Sequence, residues 1–298
     1  MEYGICALCK EERELMKSHI IPAFVYRWLK KSSGNGHIRS TKNPNKRVQD
    51  GVKERLLCNE CESRFSIAET EFANRIFHPY STESGGRLRY FEWMMYFCTS
   101  VSWRILTFYR DNGHLSDWDS DSIEKLNDAE AAWRSVLLSK VRHAGRHEQH
   151  LLPVDRIESA TGPLPTNINR YLMRAIDMDI CTGNGAIFTF CKFGRFILIG
   201  MVHEPSLKSW VGTKINANGG VIEPREYILP TPFGEYIFEK ANGMKDVLDT
   251  MSHAQSKKVE QAFKENVDAY ISSDAFDAME ADVDMFGEKA FSNKKVET

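Results

Sequence analysis

"CALCKEERELMKSHIIP" (6–22) and "LLCNECESRF" (56–65) decide how the front of this chain folds. Each carries a CxxC pair, Cys6 with Cys9 and Cys58 with Cys61. A CxxC knuckle curls its backbone so that two thiolates reach one ion, and two knuckles complete a closed tetrahedral zinc site. The 48 residues between Cys9 and Cys58 exceed the spacing of a simple zinc ribbon, but closure entropy grows slowly with loop length. A four-thiolate site leaves no open position for water, so this zinc is structural. The bland alternative is four reduced, unpaired thiols. A redox pair is disfavoured, because neither CxxC sits between a strand and a helix in a thioredoxin-like pattern.

Working outward, the other three cysteines, Cys98, Cys181 and Cys191, lie in apolar surroundings. One metal site plus buried thiols is an intracellular pattern rather than a secreted disulfide framework. Met1 is followed by polar residues and not by an apolar run, so no secretory leader is expected and the location is expected to be cytoplasmic. The apolar stretch 90–109 carries Glu92, Arg104 and several hydroxyls. These are costly in lipid, so the stretch reads as a buried central helix and not a membrane span.

Net charge is −2 over 298 residues, which by itself names no polyanion partner. The distribution is uneven. Lys17 to Arg55 holds ten Lys/Arg against Asp50 and Glu54, whereas Asp268 to Glu288 holds seven acids and no Lys or Arg. The basic residues Lys30, Lys31, Arg39, Lys42, Lys46 and Arg47 are candidate nucleic-acid contacts, with a solvated loop as the alternative. Trp28 and Tyr26 could stack on a base, but helical spacing with Phe24, Val25 and Leu29 favours core packing for Trp28. The acidic end is expected to be flexible and able to cover the basic face.

The pattern gives an α+β organisation in three parts. Residues 1–80 form a zinc domain, 81–271 a helical plus antiparallel-sheet domain, and 272–298 an acidic tail. Helices are expected at 22–31, 59–77, 89–110 and 122–142, with another over "TNINRYLMRAIDM" (166–178) and a long one at 233–270 broken near Gly243. Two strands surround Phe193–Gly194, and Asn218–Gly219 signals a hairpin within 210–224. Residues 81–271 offer a surface for a protein partner or trigger.

His19 in "MKSHIIP" is the residue type that takes a proton from water. A lone histidine is more often structural, but this one lies between the knuckles in a basic segment. His143, His147 and His150 stand at steps of four and three; they do not form HExxH, and a basic helix end able to touch phosphate is favoured over a metal site. "DWDSD" (117–121) reads as a turn and helix start, and "TGNG" (182–185) as a turn before a strand.

The CxxC, the His-Ile-Ile-Pro segment and "LLCNECE" opening a helix together resemble the zinc-bearing HNH endonucleases over about residues 1–75. The resemblance implies a treble-clef ββα unit and a nuclease with a catalytic Mg²⁺ or Mn²⁺ ion, acting on nucleic acid, most naturally DNA. His19 matches the family's general base. Ser18 stands where the metal-binding Asp is usual, Lys53 or Glu54 where an Asn is usual, and Glu62 where a His or Asn follows the second CxxC. The implied catalytic set is His19, Glu62 and Glu54, with Glu69 seven residues on from Glu62 as an assistant. Three departures leave a binding-only zinc module, for nucleic acid or a protein, as the alternative. HNH-like heads on unfamiliar bodies also resemble effectors of bacterial anti-phage defence.

Overall fold

The computed structural model describes residues 2–34, 36, 38–39, 44–48, 50–82, 86–223 and 225–291. Along the chain the elements are β1 (Tyr3–Ile5), β2 (Glu12–His19), α1 (Ala23–Lys31), β3 (Ile38–Arg39), β4 (Arg47–Val48) and β5 (Lys53–Cys58). Next come α2 (Asn59–Phe72), one π turn (Ala73–Phe77), α3 (His78–Thr82), β6 (Leu88–Tyr90), α4 (Trp93–Asp111) and α5 (Ser120–Leu137). The remainder is β7 (Gln149–Pro153), α6 (Ile168–Arg174), β8 (Ile176–Gly183), β9 (Ala186–Phe193), β10 (Phe196–His203), β11 (Gly220–Ile222), α7 (Thr231–Asp249), α8 (His253–Glu265), α9 (Val267–Ile271) and α10 (Asp274–Phe286). Among the described residues every strand ladder is antiparallel. Mixed helix and antiparallel sheet is the α+β class.

The chain forms two compact units, each assembled from three stretches. The first comprises 1–22, 51–153 and 176–228; the second comprises 23–50, 154–175 and 229–298. Positions 80 and 271 therefore fall inside compact units, and residues 83–85 and 292–298 lie outside the described residues.

In the first unit, β1-β2-β5 make a three-stranded sheet and β7-β10-β9-β8 a four-stranded one. Helix α4 is buried along most of its length, including Phe97, Val101, Trp103, Ile105 and Leu106. Its all-round apolar sequence thus marks a core helix, and no helix among the described residues is long and apolar enough to cross a membrane. The helix approaches β10 at Gly200, where a Cβ would sit 2.5 Å from Ser102 Oγ and 2.7 Å from Thr189 Oγ1. Only glycine permits that approach. Phe72 of α2 stacks on Phe97 of α4 with ring centroids 4.0 Å apart, and meets Phe193 and Phe196 of the β9–β10 hairpin edge-on. This aromatic cluster ties the C-terminal end of α2 to the core, each pair adding about 1 kcal/mol beyond its buried area.

Two expectations change here. "AIDM" (175–178) is not helical: α6 ends at Arg174, and Ile176, Met178 and Ile180 belong to β8, which pairs with β9. Its alternating apolar positions have period two, which a short window also fits to a helix. Asn218–Gly219 does make a turn, with Gly219 at φ +107. The strand that follows it, β11, pairs with β6 and not with the preceding residues. The β8–β9 turn, Asn184 (φ +51) and Gly185 (φ +77), has the positive-φ pair of a tight hairpin.

In the second unit α1 buries Phe24, Val25, Tyr26 and Trp28. The Arg174 guanidinium lies 5.3 Å from the Trp28 ring and donates to Ser32 Oγ at 3.0 Å. Trp28 is thus a core residue and offers no stacking platform. Helix α7 runs through Gly243, and the break falls at 250–252 instead. The acidic end is folded from 274 to 286. Helix α10 buries Ala278, Ala281 and Asp282. The Asp282 carboxylate accepts from the backbone N–H of Asn169 (2.8 Å) and from Arg170 Nε (2.7 Å). Composition hid an inward-facing stripe of small residues and one acid that caps α6.

A candidate metal centre beside a histidine strand

The first knuckle is the tight turn between β1 and β2. The second is the end of β5 and the first turn of α2, with Cys58 as N-cap. The strand pairing Leu15↔Cys58 draws the two together. The ligand atoms of Cys6, Cys9, Cys58 and Cys61 all lie within 4.8 Å of one another, and Cys9 Sγ is 4.0 Å from Cys58 Sγ. A tetrahedral ion with bonds of about 2.3 Å needs S···S separations of about 3.8 Å, so a small contraction suffices. Cys6, Cys58 and Cys61 are buried and Cys9 is half-buried. Four buried or half-buried thiols this close are positioned to hold a metal ion.

The electrostatics favour thiolates unevenly. Burial pushes the Cys6 thiol up, but backbone N–H groups of Cys58, Cys9 and Leu8 outweigh it and bring the pKa to about 7. The Cys58 N–H···Sγ contact with Cys6 is 3.3 Å. Burial pushes Cys61 up, and its neighbouring sulfurs push the same way. A cation at the centre removes that repulsion, because the thiolate and not the thiol is the ligand.

Around this centre, β2 and β5 align the acidic candidates. Ser18 pairs with Glu54 and His19 with Lys53 in the β2–β5 register. Ser18 is buried, and its hydroxyl donates to Glu62 Oε2 at 2.6 Å. Ser18 thus touches Glu62 of α2 and stands opposite Glu54 in the β2–β5 ladder, with His19 the next residue along; among the described residues the four cysteines are the one close cluster of metal-ligating side chains. Glu62, like Glu60, sits in the first turn of α2, where the helix dipole favours negative charge.

Glu69 takes a different role from the one expected. It pairs with Arg104 of α4 (Nη2···Oε1 2.7 Å), a side chain only 2% exposed. Arg104 also donates from Nη1 to the His19 carbonyl (2.9 Å) and from Nε to Ser100 O (3.2 Å), and lies 5.2 Å from the Phe65 ring centre. The stretch read from sequence as a buried central helix therefore carries, in Arg104, the guanidinium that ties the His19 end of β2 to α2. A buried arginine in an apolar run was the available signal, because such a charge needs partners. A second arginine, Arg134 of α5, donates from Nε to the Leu8 carbonyl of the first knuckle at 2.6 Å.

The remaining candidates disperse. Lys30 and Lys31 end α1, Arg39 and Arg47 are paired positions of the β3–β4 ladder, and Lys46 is exposed beside them. All belong to the second unit, whereas the cysteines and His19 belong to the first. Lys42 lies outside the described residues. His143, His147 and His150 do not share a helix face. His143 is exposed, His147 Nδ1 meets Val202 O at 2.9 Å, and His150, buried in β7, meets Thr213 Oγ1 at 2.8 Å. Of "DWDSD", Asp119 caps α5, accepting from Ser122 N at 2.9 Å. No family model, curated protein or solved structure matches this chain.

Proposed function

We propose that the first unit carries an HNH-like, treble-clef ββα module, built from β2, β5 and α2, and that the protein is a metal-dependent nuclease. The reading is supported above all by one observation: the hydrogen bond of Ser18 to Glu62, beside His19 and beside the four-cysteine centre. Zinc on Cys6, Cys9, Cys58 and Cys61 holds the start of β2 against the start of α2, so the histidine strand and the Glu62 helix keep one geometry. Glu62 and Glu54 supply carboxylate oxygens suited to Mg²⁺ or Mn²⁺, and the Ser18 hydroxyl orients Glu62. Such an ion, when bound, offsets the charge that develops on a scissile phosphate. His19 takes the proton from the attacking water, and Arg104 fixes the backbone from which His19 projects. Nucleic acid, with DNA first, is the substrate class, and the rest of the chain is free to recognise a trigger or a protein partner, as in an anti-phage effector.

Supercoiled plasmid incubated with Mg²⁺ or Mn²⁺ tests this. Wild type nicks the plasmid, and His19→Ala lowers the rate by about 10²-fold or more while zinc content stays at wild-type level. Absence of cleavage with either ion, or equal cleavage by His19→Ala, overturns the catalytic reading.

A second reading rests on Ser18 itself. A hydroxyl where an acid would strengthen cation binding also occupies one oxygen of Glu62. In this reading the zinc module binds nucleic acid or a protein without hydrolysis. Steeply salt-dependent DNA binding with no product under either ion supports it. Unchanged binding by a Lys30/Lys31/Arg47 charge-removal variant counts against those residues as its surface.

A further inference from the structure

The segment between α5 and β7 is neither helix nor tail. It is an exposed loop held at both ends. Lys140, Arg142, His143 and Arg146 are all exposed on it. No acidic residue occurs between Glu130 and Glu148. Among the described residues no ion pair or hydrogen bond engages the head groups of Lys140, Arg142 or Arg146, and His143 is engaged only by the N–H of Gly145 (3.2 Å). Elsewhere in this unit cations are commonly paired, as Arg13 is with Glu11 and Arg55 with Glu2.

The loop is also shaped. Ser139 (φ +58) and Gly145 (φ +62) turn the chain at its two ends. The Lys140 N–H donates to Ser135 O at 2.9 Å, and the buried Trp133 donates from Nε1 to His147 O at 3.0 Å. His147 meets Val202 O on β10. These anchors hold the backbone that carries three like charges within seven residues. The same α5 carries Arg134, which holds the Leu8 carbonyl of the first knuckle, so the loop leaves α5 within two turns of that contact.

We infer that the 139–147 loop is a docking surface for a phosphodiester backbone, with Lys140, Arg142 and Arg146 as its phosphate contacts. An anchored loop with three exposed, unpaired cations and no acid of its own matches a partner that carries one negative charge per about 1.7 Å of duplex axis. Contacts of this kind position a nucleic acid without reading its sequence. The inference shares the nucleic-acid substrate of the nuclease reading but none of its chemistry, so binding can be tested with the catalytic step removed.

The experiment uses the full chain as His19→Ala, without divalent ions, a fluorescent 20-base-pair DNA duplex and a range of salt concentrations. The comparison is a Lys140→Gln/Arg142→Gln/Arg146→Gln variant, with Lys257→Gln/Lys258→Gln on α8 as the charge control. Losing three phosphate contacts lowers the magnitude of the log–log salt slope by about 2.7, so the drop in affinity between about 50 and 200 mM salt shrinks about 40-fold. The control keeps the wild-type slope. An unchanged slope in the triple variant, an equal effect in the control, or no duplex binding by the parent each overturns the inference. Binding to phosphatidylserine vesicles in preference to the duplex also overturns it, in favour of a lipid surface. Persistent loop-dependent binding in a protein that cuts no plasmid leaves the inference standing and removes only the nuclease reading.

Discussion

The two sheets of the first unit are stabilised by different means. Strand β9 is buried at seven of its eight positions, and β10 likewise. Strand β2 is buried at one position of eight. The four-stranded sheet lies against α4 and buries Phe190, Phe193, Phe196 and Ile199, so water exclusion alone can hold it. The three-stranded sheet has no comparable face. Tyr3 and Ile5 are exposed at 71% and 60%, and what gathers its strands is the cysteine cluster. The four cysteines are positioned to hold an ion there; an ion so held would staple a sheet with little core and make its stability conditional on that ion.

The largest effect expected from this contrast follows metal removal. Chelation, or Cys58→Ser, abolishes amide-exchange protection in β1, β2 and β5 and leaves β8, β9 and β10 protected. Loss of protection in both sheets together, or in neither, would break the comparison, because the two would then share one source of stability.

Arg104 is where the two regions meet, since α4 packs on β9 and β10 and also holds His19 O. Arg104→Met leaves Glu69 and the His19 carbonyl without their charged partner. We expect a loss of about 3 kcal/mol in urea unfolding. Arg104→Met with Glu69→Leu should recover much of it, because the uncompensated charge is then gone. Equal losses in the single and double variants would reduce Arg104 to a space-filling residue.

The smallest effect is a pH dependence seated on the four-stranded side. Burial holds the His147 imidazole below its usual value, against the opposing pull of its Val202 carbonyl contact. The folded protein therefore binds a proton there less readily than the unfolded chain. Stability from this site is complete above about pH 6.5 and is lost as pH falls from there through the folded-state value. His147→Gln should lessen the fall in Tm between about pH 7 and pH 5; an identical fall in both proteins places the acid sensitivity elsewhere.

The parts of the site readable from sequence are those with local signatures. A CxxC pair is a contiguous device, and so is the burial of 93–111, because composition and length alone decide it. Strand β8 escaped because five residues of alternating apolar character, Ile176 to Ile180, fit two periods. Helix α10 escaped because its seven-acid surroundings conceal the few inward positions that matter. The Ser18–Glu62 bond joins residues 44 apart and the Arg104–His19 bond residues 85 apart; no spacing rule reaches so far.

The sequence by itself therefore determined the four-cysteine centre, the central apolar helix and the α+β class, because each follows from short-range pattern or bulk composition. Only the tertiary structure decided which acid faces Ser18, which arginine steadies His19, and which basic residues share a unit with the cysteines. Those are outcomes of strand register and of how buried charges find partners, and a chain settles both only when it is folded.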